Sequence, residues 1–374
     1  MRKHALLRLL PFALIMNCVS CTQSNRPFTE QMQEALDENL KDYDVKGASA
    51  AVIMPGHPPW LGTSGISHDT VAMKSDMLFA IGSITKNVVA ALTFRLAEEG
   101  VLSLEDSLFK WLPTYPKVDS TITLRQLLHH TSGLYMFWDH QNIWDDLKRY
   151  RTRIFTPEEV LTYLKDPYFP PGKGWHYSNT NYLLLAKIAT KSTGSELSAE
   201  FRNRFWNPLG IKDAYLSMEE QIPNNLAHVW GDNFENDGST RDLTFLPRAS
   251  HESITYGSSG LFMTAKDLAV WCHSLFTGKV LNKSSMDQML SFNKAEYGLG
   301  VHLIRKSIPH DVKAYGHGGG NIGTSAYMVF LPEFQVSIVV MINAFHGKCP
   351  DRILEDLIEI VTDHLTSQKA KGGG

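Results

Sequence analysis

Apolar residues at Met32, Leu36, Leu40 and Tyr43 recur at the three- and four-residue spacing of one helical face and predict an amphipathic helix over residues 29–43. Residues 48–54 and 60–66 read as two strands around the turn Pro55-Gly56-His57-Pro58-Pro59. The stretch 79–92 starts polar and passes into a segment whose apolar residues cover most of a helical circumference. That pattern predicts a buried, central helix opened by Ser83, running to about Glu99 and stopped by Gly100. From 105 to 255, short helical segments alternate with long polar loops, and Thr156-Pro157-Glu158-Glu159 is a capping box with proline at the first helical position. Beyond it, 264–276 reads as a helix, 298–305, 324–331 and 336–343 as strands, and 351–365 as the last helix. Strands and helices on both sides of a helical middle predict an α+β protein. Its sheet domain is discontinuous (26–104 and 256–368) and is interrupted by a helical domain (105–255), with residues 369–374 a disordered tail. There is no internal repeat.

Composition narrows this only a little: 374 residues, 43% hydrophobic and 20% charged, describe an ordinary globular protein. Residues 1–20 change the picture more. Arg2, Lys3 and Arg8 precede the short apolar run 9–16 and then small residues, the layout of a secretory signal peptide too short to span a bilayer. Val19-Ser20-Cys21 resembles the end of a bacterial lipobox, with Cys18 where that motif usually has leucine, so Cys21 is the expected lipidated N-terminus. Simple cleavage to a soluble periplasmic or secreted protein is the other outcome. Removal of residues 1–20 leaves 33 basic against 39 acidic side chains, a net charge of −6 that favours no nucleic-acid partner. Cys272 and Cys349 lack Cys-x-x-Cys spacing and carry no zinc or redox signature; a disulfide between them is an open option.

The candidate chemistry begins at Ser83. A serine at a helix start is first of all a cap, but Lys86 three residues on shares its face. A lysine disfavoured as a cation by desolvation and by the helix dipole can act as a base toward a hydroxyl that is otherwise a poor nucleophile. The same spacing recurs at Ser107 and Lys110, in a short charged segment that reads as a surface turn. Tyr177-x-Asn179 lies in a polar, aromatic turn before an apolar helix. Its residues either cap that helix, or supply a phenol for proton relay and an amide for a substrate carbonyl or for Lys86. Gly318-x-Gly320-x-x-Gly323 imitates a dinucleotide fingerprint, but strand-like runs follow it where that motif needs a helix. Glycines on an edge strand would instead let a substrate backbone approach, with His317 beside it. No Gly-x-Ser-x-Gly elbow is present. His129 and His130 lack metal-site context and read as structural, and Ser132 as a turn residue.

Taken together, Ser83-x-x-Lys86, Tyr177-x-Asn179 and His317-x-Gly319 resemble the serine β-lactamase and penicillin-binding protein superfamily, in its class C-related branch. The similar blocks include residues 79–83, 127–134, 177–182 and 260–268 and cover nearly the whole chain after residue 20. The resemblance implies an antiparallel sheet flanked by helices with an inserted all-helical domain, the site lying between them. It implies Ser83 as nucleophile, Lys86 and Tyr177 as the proton-handling pair, and Asn179, His317 and Gly319 as substrate-binding residues. The N–H groups of Ser83 and Gly320 would form the oxyanion hole, and no metal or cofactor would be needed. True class C β-lactamases carry lysine where His317 stands; histidine looks more like the D-alanyl-D-alanine carboxypeptidases, D-aminopeptidases and esterases. The expected function is therefore an exported, periplasmic or envelope-bound serine hydrolase of small-molecule or peptide substrates: D-amino-acyl peptides, esters or β-lactam-like amides. A class C-type β-lactamase is one alternative, and a catalytically silent protein binding peptidoglycan-like ligands is another.

Overall fold

The computed structural model describes residues 26–232, 239–304 and 312–372. In chain order its strands are β1 (Gly47–Ile53), β2 (Trp60–His68), β3 (Val71–Ala72), β4 (Phe79–Ala80), β5 (Ala214–Leu216) and β6 (Trp230–Gly231). They continue as β7 (Arg241–Asp242), β8 (Leu261–Met263), β9 (His302–Ile304), β10 (Ala314–Asn321), β11 (Thr324–Leu331) and β12 (Val336–Ile342). Seven of them form one sheet in the order β3-β2-β1-β12-β11-β10-β9, antiparallel at every pairing. The two chain halves meet at β1 and β12, where Ala48 lies opposite Ile342 and Val52 opposite Ile338.

Both faces of this sheet are covered, which is why β12 reads Val-Ser-Ile-Val-Val-Met-Ile without alternation. Val336, Ile338, Val340 and Ile342 enter one core, with the terminal helices Phe28–Asp42 and Lys348–Gly372. Val339 and Met341 enter the other, with the helices Thr85–Glu98 and Ala265–Phe276. In the helix Thr85–Glu98, residues 85–94 and Leu96 are all buried. A side chain such as Leu92 or Phe94, at 0% and 1% exposure, contributes about 1.5–3 kcal/mol by leaving water. The expected α+β architecture and the central helix are both present. The stretch 105–255 is mainly helical and also contributes β5, which pairs with β8, and the small pair β6–β7.

Several expectations need correction. Residues 298–301 are not strand: Gly298 N–H donates to Val301 O, and Gly300 takes a φ of 83°, which glycine adopts freely. Only His302–Ile304 pairs, and Arg305 lies outside the described residues. The last helix reaches Gly372, so residues 369–372 are helical rather than tail; Gln368, Lys369, Ala370 and Lys371 are good helix formers. Cys272 and Cys349 are free. They sit in the two different cores, on opposite sides of the sheet. The leader 1–20, Cys21 and residues 373–374 lie outside the described residues.

Candidate active site

Ser83 is held in a single 3₁₀ turn, Gly82–Ile84, that runs directly into the helix Thr85–Glu98. It does not cap that helix. Its Oγ accepts a hydrogen bond from Lys86 Nζ at 2.9 Å, and the same Nζ donates to Ser258 O at 2.8 Å. Lys86 has 0% exposure. Burial among neutral groups drives its ammonium well below the usual lysine range. The turn is locked from behind: Ile81 N–H donates to Leu261 O at 3.0 Å, and β4 pairs with β8 through Phe79 and Met263. Residues 79–83 and 260–263 therefore build one wall.

Tyr177 comes from the other side of the cleft. Its ring lines the same cleft as Ser83, and desolvation raises its phenol above the usual tyrosine range, the nearby Ser83 hydroxyl opposing this. Lys86 Nζ stands 4.9 Å from its ring centroid. The turn carrying Tyr177 hangs on His130. His176 N–H donates to His130 O at 3.0 Å, and Ser178 N–H donates to His130 Nδ1 at 3.1 Å. The His130 ring packs 4.4 Å from that of Tyr177. Because Nδ1 accepts, Nε2 carries the proton, and it is buried without a hydrogen-bond partner among the described residues. Asn179 opens the helix Asn179–Thr193; its Oδ1 is likewise buried and unpartnered. Ser178 occupies the cap position without capping, its Oγ turned to Tyr135 O at 3.4 Å.

Strand β10 brings the glycines. Since β9 pairs only with Ala314, Tyr315 and Gly316, no strand among the described residues covers His317–Asn321 on that side. The Ser83 turn packs there instead. A Cβ on Gly319 would stand 2.0 Å from Ile81 O and 2.9 Å from Ser83 N, and one on Gly82, at φ 53°, would stand 2.6 Å from Gly320 N. Gly319→Ala must then push β10 away from Ser83, and a displacement near 1 Å is expected to cost about a hundredfold in kcat. Steady-state kinetics with a thermal melt test this; a near-wild-type kcat would show that the close approach is dispensable. The Gly318–Gly323 run turns into β11 as a hairpin, with Asn321 opposite Thr324, so the helix of a dinucleotide fold is absent from its place.

His317 lines the cleft at 2% exposure. Its Nδ1 donates to Gly318 O at 2.6 Å, which leaves Nε2 to accept from Tyr297 OH at 3.4 Å. Burial, with His302 and Lys86 nearby, keeps it neutral, and His302 is pushed down to about 4 chiefly by burial. Ser83, Tyr177, His317, Gly319 and Gly320 line a cleft of about 810 Å³.

The other candidates lie elsewhere. Lys110 Nζ is paired with Asp106 at 2.8 Å on a half-exposed side chain, not with Ser107. Ser132 Oγ donates to Asn181 Oδ1 at 2.7 Å, and His129 Nε2 donates to Tyr297 O at 3.0 Å. Sequence reasoning missed Ser258, Tyr297 and His302. Ser258 stands two residues before the block 260–268 and was within reach of an extended comparison; nothing local marks the other two.

The sequence profile of the Beta-lactamase family matches residues 31–362. Penicillin-binding protein 4* of Bacillus subtilis is 28% identical over 313 residues, covering 78% of this chain and 66% of its own length. Esterase EstB of Burkholderia gladioli is 30% identical over 210 residues, 51% of this chain and 52% of its own. The chain thus spans between about half and two-thirds of these curated relatives. Among solved structures, a D-stereospecific amidohydrolase from Streptomyces sp. superposes with a TM-score of 0.77 at 26% identity, over 88% of this chain and 98% of that one.

Proposed function

This chain belongs to the beta-lactamase family, and on that premise we propose that it is a serine hydrolase acting through an acyl-enzyme on D-amino-acyl peptides, esters and amides. The observation that carries the reading is Ser83 Oγ bonded to a buried, desolvated Lys86, with Tyr177 lining the same cleft as Ser83. A binding module has no physical need of that combination.

The opposed pKa directions divide the work between the two partners. Lys86 is disfavoured as a cation and is the base; Tyr177 is disfavoured as a phenolate and stays protonated, ready to donate. Ser83 Oγ attacks the substrate carbonyl carbon while its proton passes to Lys86 Nζ. The carbonyl oxygen becomes an oxyanion facing the N–H groups of Ser83 and Gly320. When the carbonyl–leaving-group bond breaks, Tyr177 gives its proton to the leaving group and recovers one from Lys86. Water adds to the acyl-enzyme by the reverse route, Ser83 regaining its proton. His317 with Gly319 shapes the wall against which the substrate lies; Asn179, substrate-binding by the resemblance, does not line the cleft and its Oδ1 is buried.

A neutral, internally bonded His317 offers a carboxylate no charge-assisted contact. Esters and D-amino-acid amides, which have no carboxylate on the leaving group, should therefore be turned over better than β-lactams and D-Ala-D-Ala peptides, which have one. A panel of a D-Ala-D-Ala peptide, a D-amino-acid amide, nitrocefin and p-nitrophenyl acetate tests this. Turnover of none of them, with no fluorophosphonate adduct on Ser83, would sink the reading.

The relatives include a teichoic acid D-alanine hydrolase from Staphylococcus aureus, 26% identical over 213 residues, and an envelope polymer carrying D-alanine fits the proposed chemistry. Export through residues 1–20 with a lipid on Cys21 would hold the enzyme beside such a substrate, peptidoglycan included. Intact-mass analysis of membrane fractions should find a diacylglyceryl-modified N-terminal Cys21. A soluble protein with an unmodified N-terminus would remove the tether.

A further inference from the structure

The cleft does not end at Gly320. A second lobe of about 750 Å³ continues past Gly320 and Phe345, which line both lobes, and its walls include Trp138, Trp144, Trp230, Leu243 and Ile322. Trp138 and Trp144 lie six residues apart, and Trp230 comes from β6, far along the same stretch. Trp138 and Trp144 stand with ring centroids 4.7 Å apart. The indole N–H of Trp144 donates to Trp138 O at 2.8 Å, and that of Trp230 to Ser67 O at 2.9 Å. With those N–H groups satisfied inside the protein, the half-buried rings present carbon to the lobe, whose lining also includes Lys46, with Nζ 4.6 Å from the Trp230 ring centroid, and His251, stacked on Trp138. Phe345, at 73% exposure, stands as a post between the lobes: a Cβ on Gly320 would touch its ring at 2.5 Å.

A substrate whose carbonyl sits at Ser83 and Gly320 must send one half to each side. Tyr177 lines the first lobe and not the second. The proton donor must touch the departing atom, so the leaving group lies in the first lobe and the acyl half points into the second. Resting on the hydrolase reading above, we propose that the Trp138–Trp144–Trp230 lobe is an acyl-side subsite selecting substrates whose acyl half carries an aromatic or bulky apolar group. The covalent step is unchanged, since the Ser83 ester forms as the leaving-group bond breaks; only the identity of the retained acyl group is specified.

The test compares p-nitrophenyl acetate with p-nitrophenyl phenylacetate, which share a leaving group and differ only in what would enter the lobe. Filling an apolar pocket with one added group is worth roughly 10–200-fold in kcat/KM, and the wild-type protein should prefer phenylacetate within that range. Trp138→Ala and Trp230→Ala should lose about tenfold on phenylacetate, through KM more than kcat, and leave acetate within about twofold. Trp230→Phe keeps an aromatic face and should keep the preference, which separates lost contact from lost fold; thermal melts accompany each variant. Equal kcat/KM for the two esters in the wild-type protein, or equal losses on both in the variants, would overturn the subsite. If neither ester is turned over and no fluorophosphonate adduct forms on Ser83, the hydrolase reading falls and the subsite falls with it.

Discussion

Ser83→Ala should abolish both turnover and covalent labelling, while Ser107→Ala leaves both nearly intact. Among the described residues Ser83 Oγ is the one hydroxyl bonded to the buried Lys86 amine, whereas Ser107 belongs to a segment whose lysine is paired with Asp106 in solvent. Removing a nucleophile from groups that act as a unit costs on the order of 10⁶ in kcat, because the remaining members cannot use their geometry without it. Incubation with a fluorophosphonate or with penicillin, followed by peptide mapping, should place the adduct on Ser83. A loss of only about tenfold in Ser83→Ala, or a label on Ser107 or Ser132, would mean that another group performs the attack.

Lys86→Met should be the second most damaging change, since loss of a general base typically costs 10²–10⁴-fold. Its pH behaviour is more diagnostic than its size. The active form needs Lys86 neutral, so wild-type kcat/KM should fall as the pH drops through a pKa well below that of a free lysine, and this acid limb should vanish in the variant. Folding carries the same signature. The folded pKa is depressed, so between it and the unfolded value of 10.5 the unfolded chain binds the extra proton, and stability rises with pH across that window. Melting temperatures at pH 6 and pH 9 should rise in the wild-type protein by more than in Lys86→Met. An equal pH dependence in the two proteins would show that Lys86 is charged in the folded state.

The sequence by itself determined what depends on neighbours a few residues away or on two-residue and 3.6-residue periods. The helix over 29–43, the strands around Pro55–Pro59 and the pairing of Ser83 with Lys86 were all legible, because i, i+3 geometry brings two side chains together whatever the rest of the chain does. The family resemblance added the order of the three motifs. What Ser-x-x-Lys spacing alone could not decide was which of its two copies has a desolvated lysine. That depends on Ser258, 172 residues from Lys86, supplying a carbonyl instead of an acid. The N-cap reading of Ser83 failed for a related reason: propensity favours serine as a cap, but its hydroxyl is claimed by Lys86. The sequence puts His317 beside the glycines as a substrate-binding residue, but only the fold sets Tyr297 and Gly318 O against its two ring nitrogens. Only closure of the sheet through β1 and β12, with β10 laid against the Ser83 turn, brings Tyr177 and the glycines into one cleft with Ser83 and sets the three tryptophans along the lobe beyond Gly320. Contacts across such separations depend on how whole elements pack, and no local pattern of residues encodes that packing.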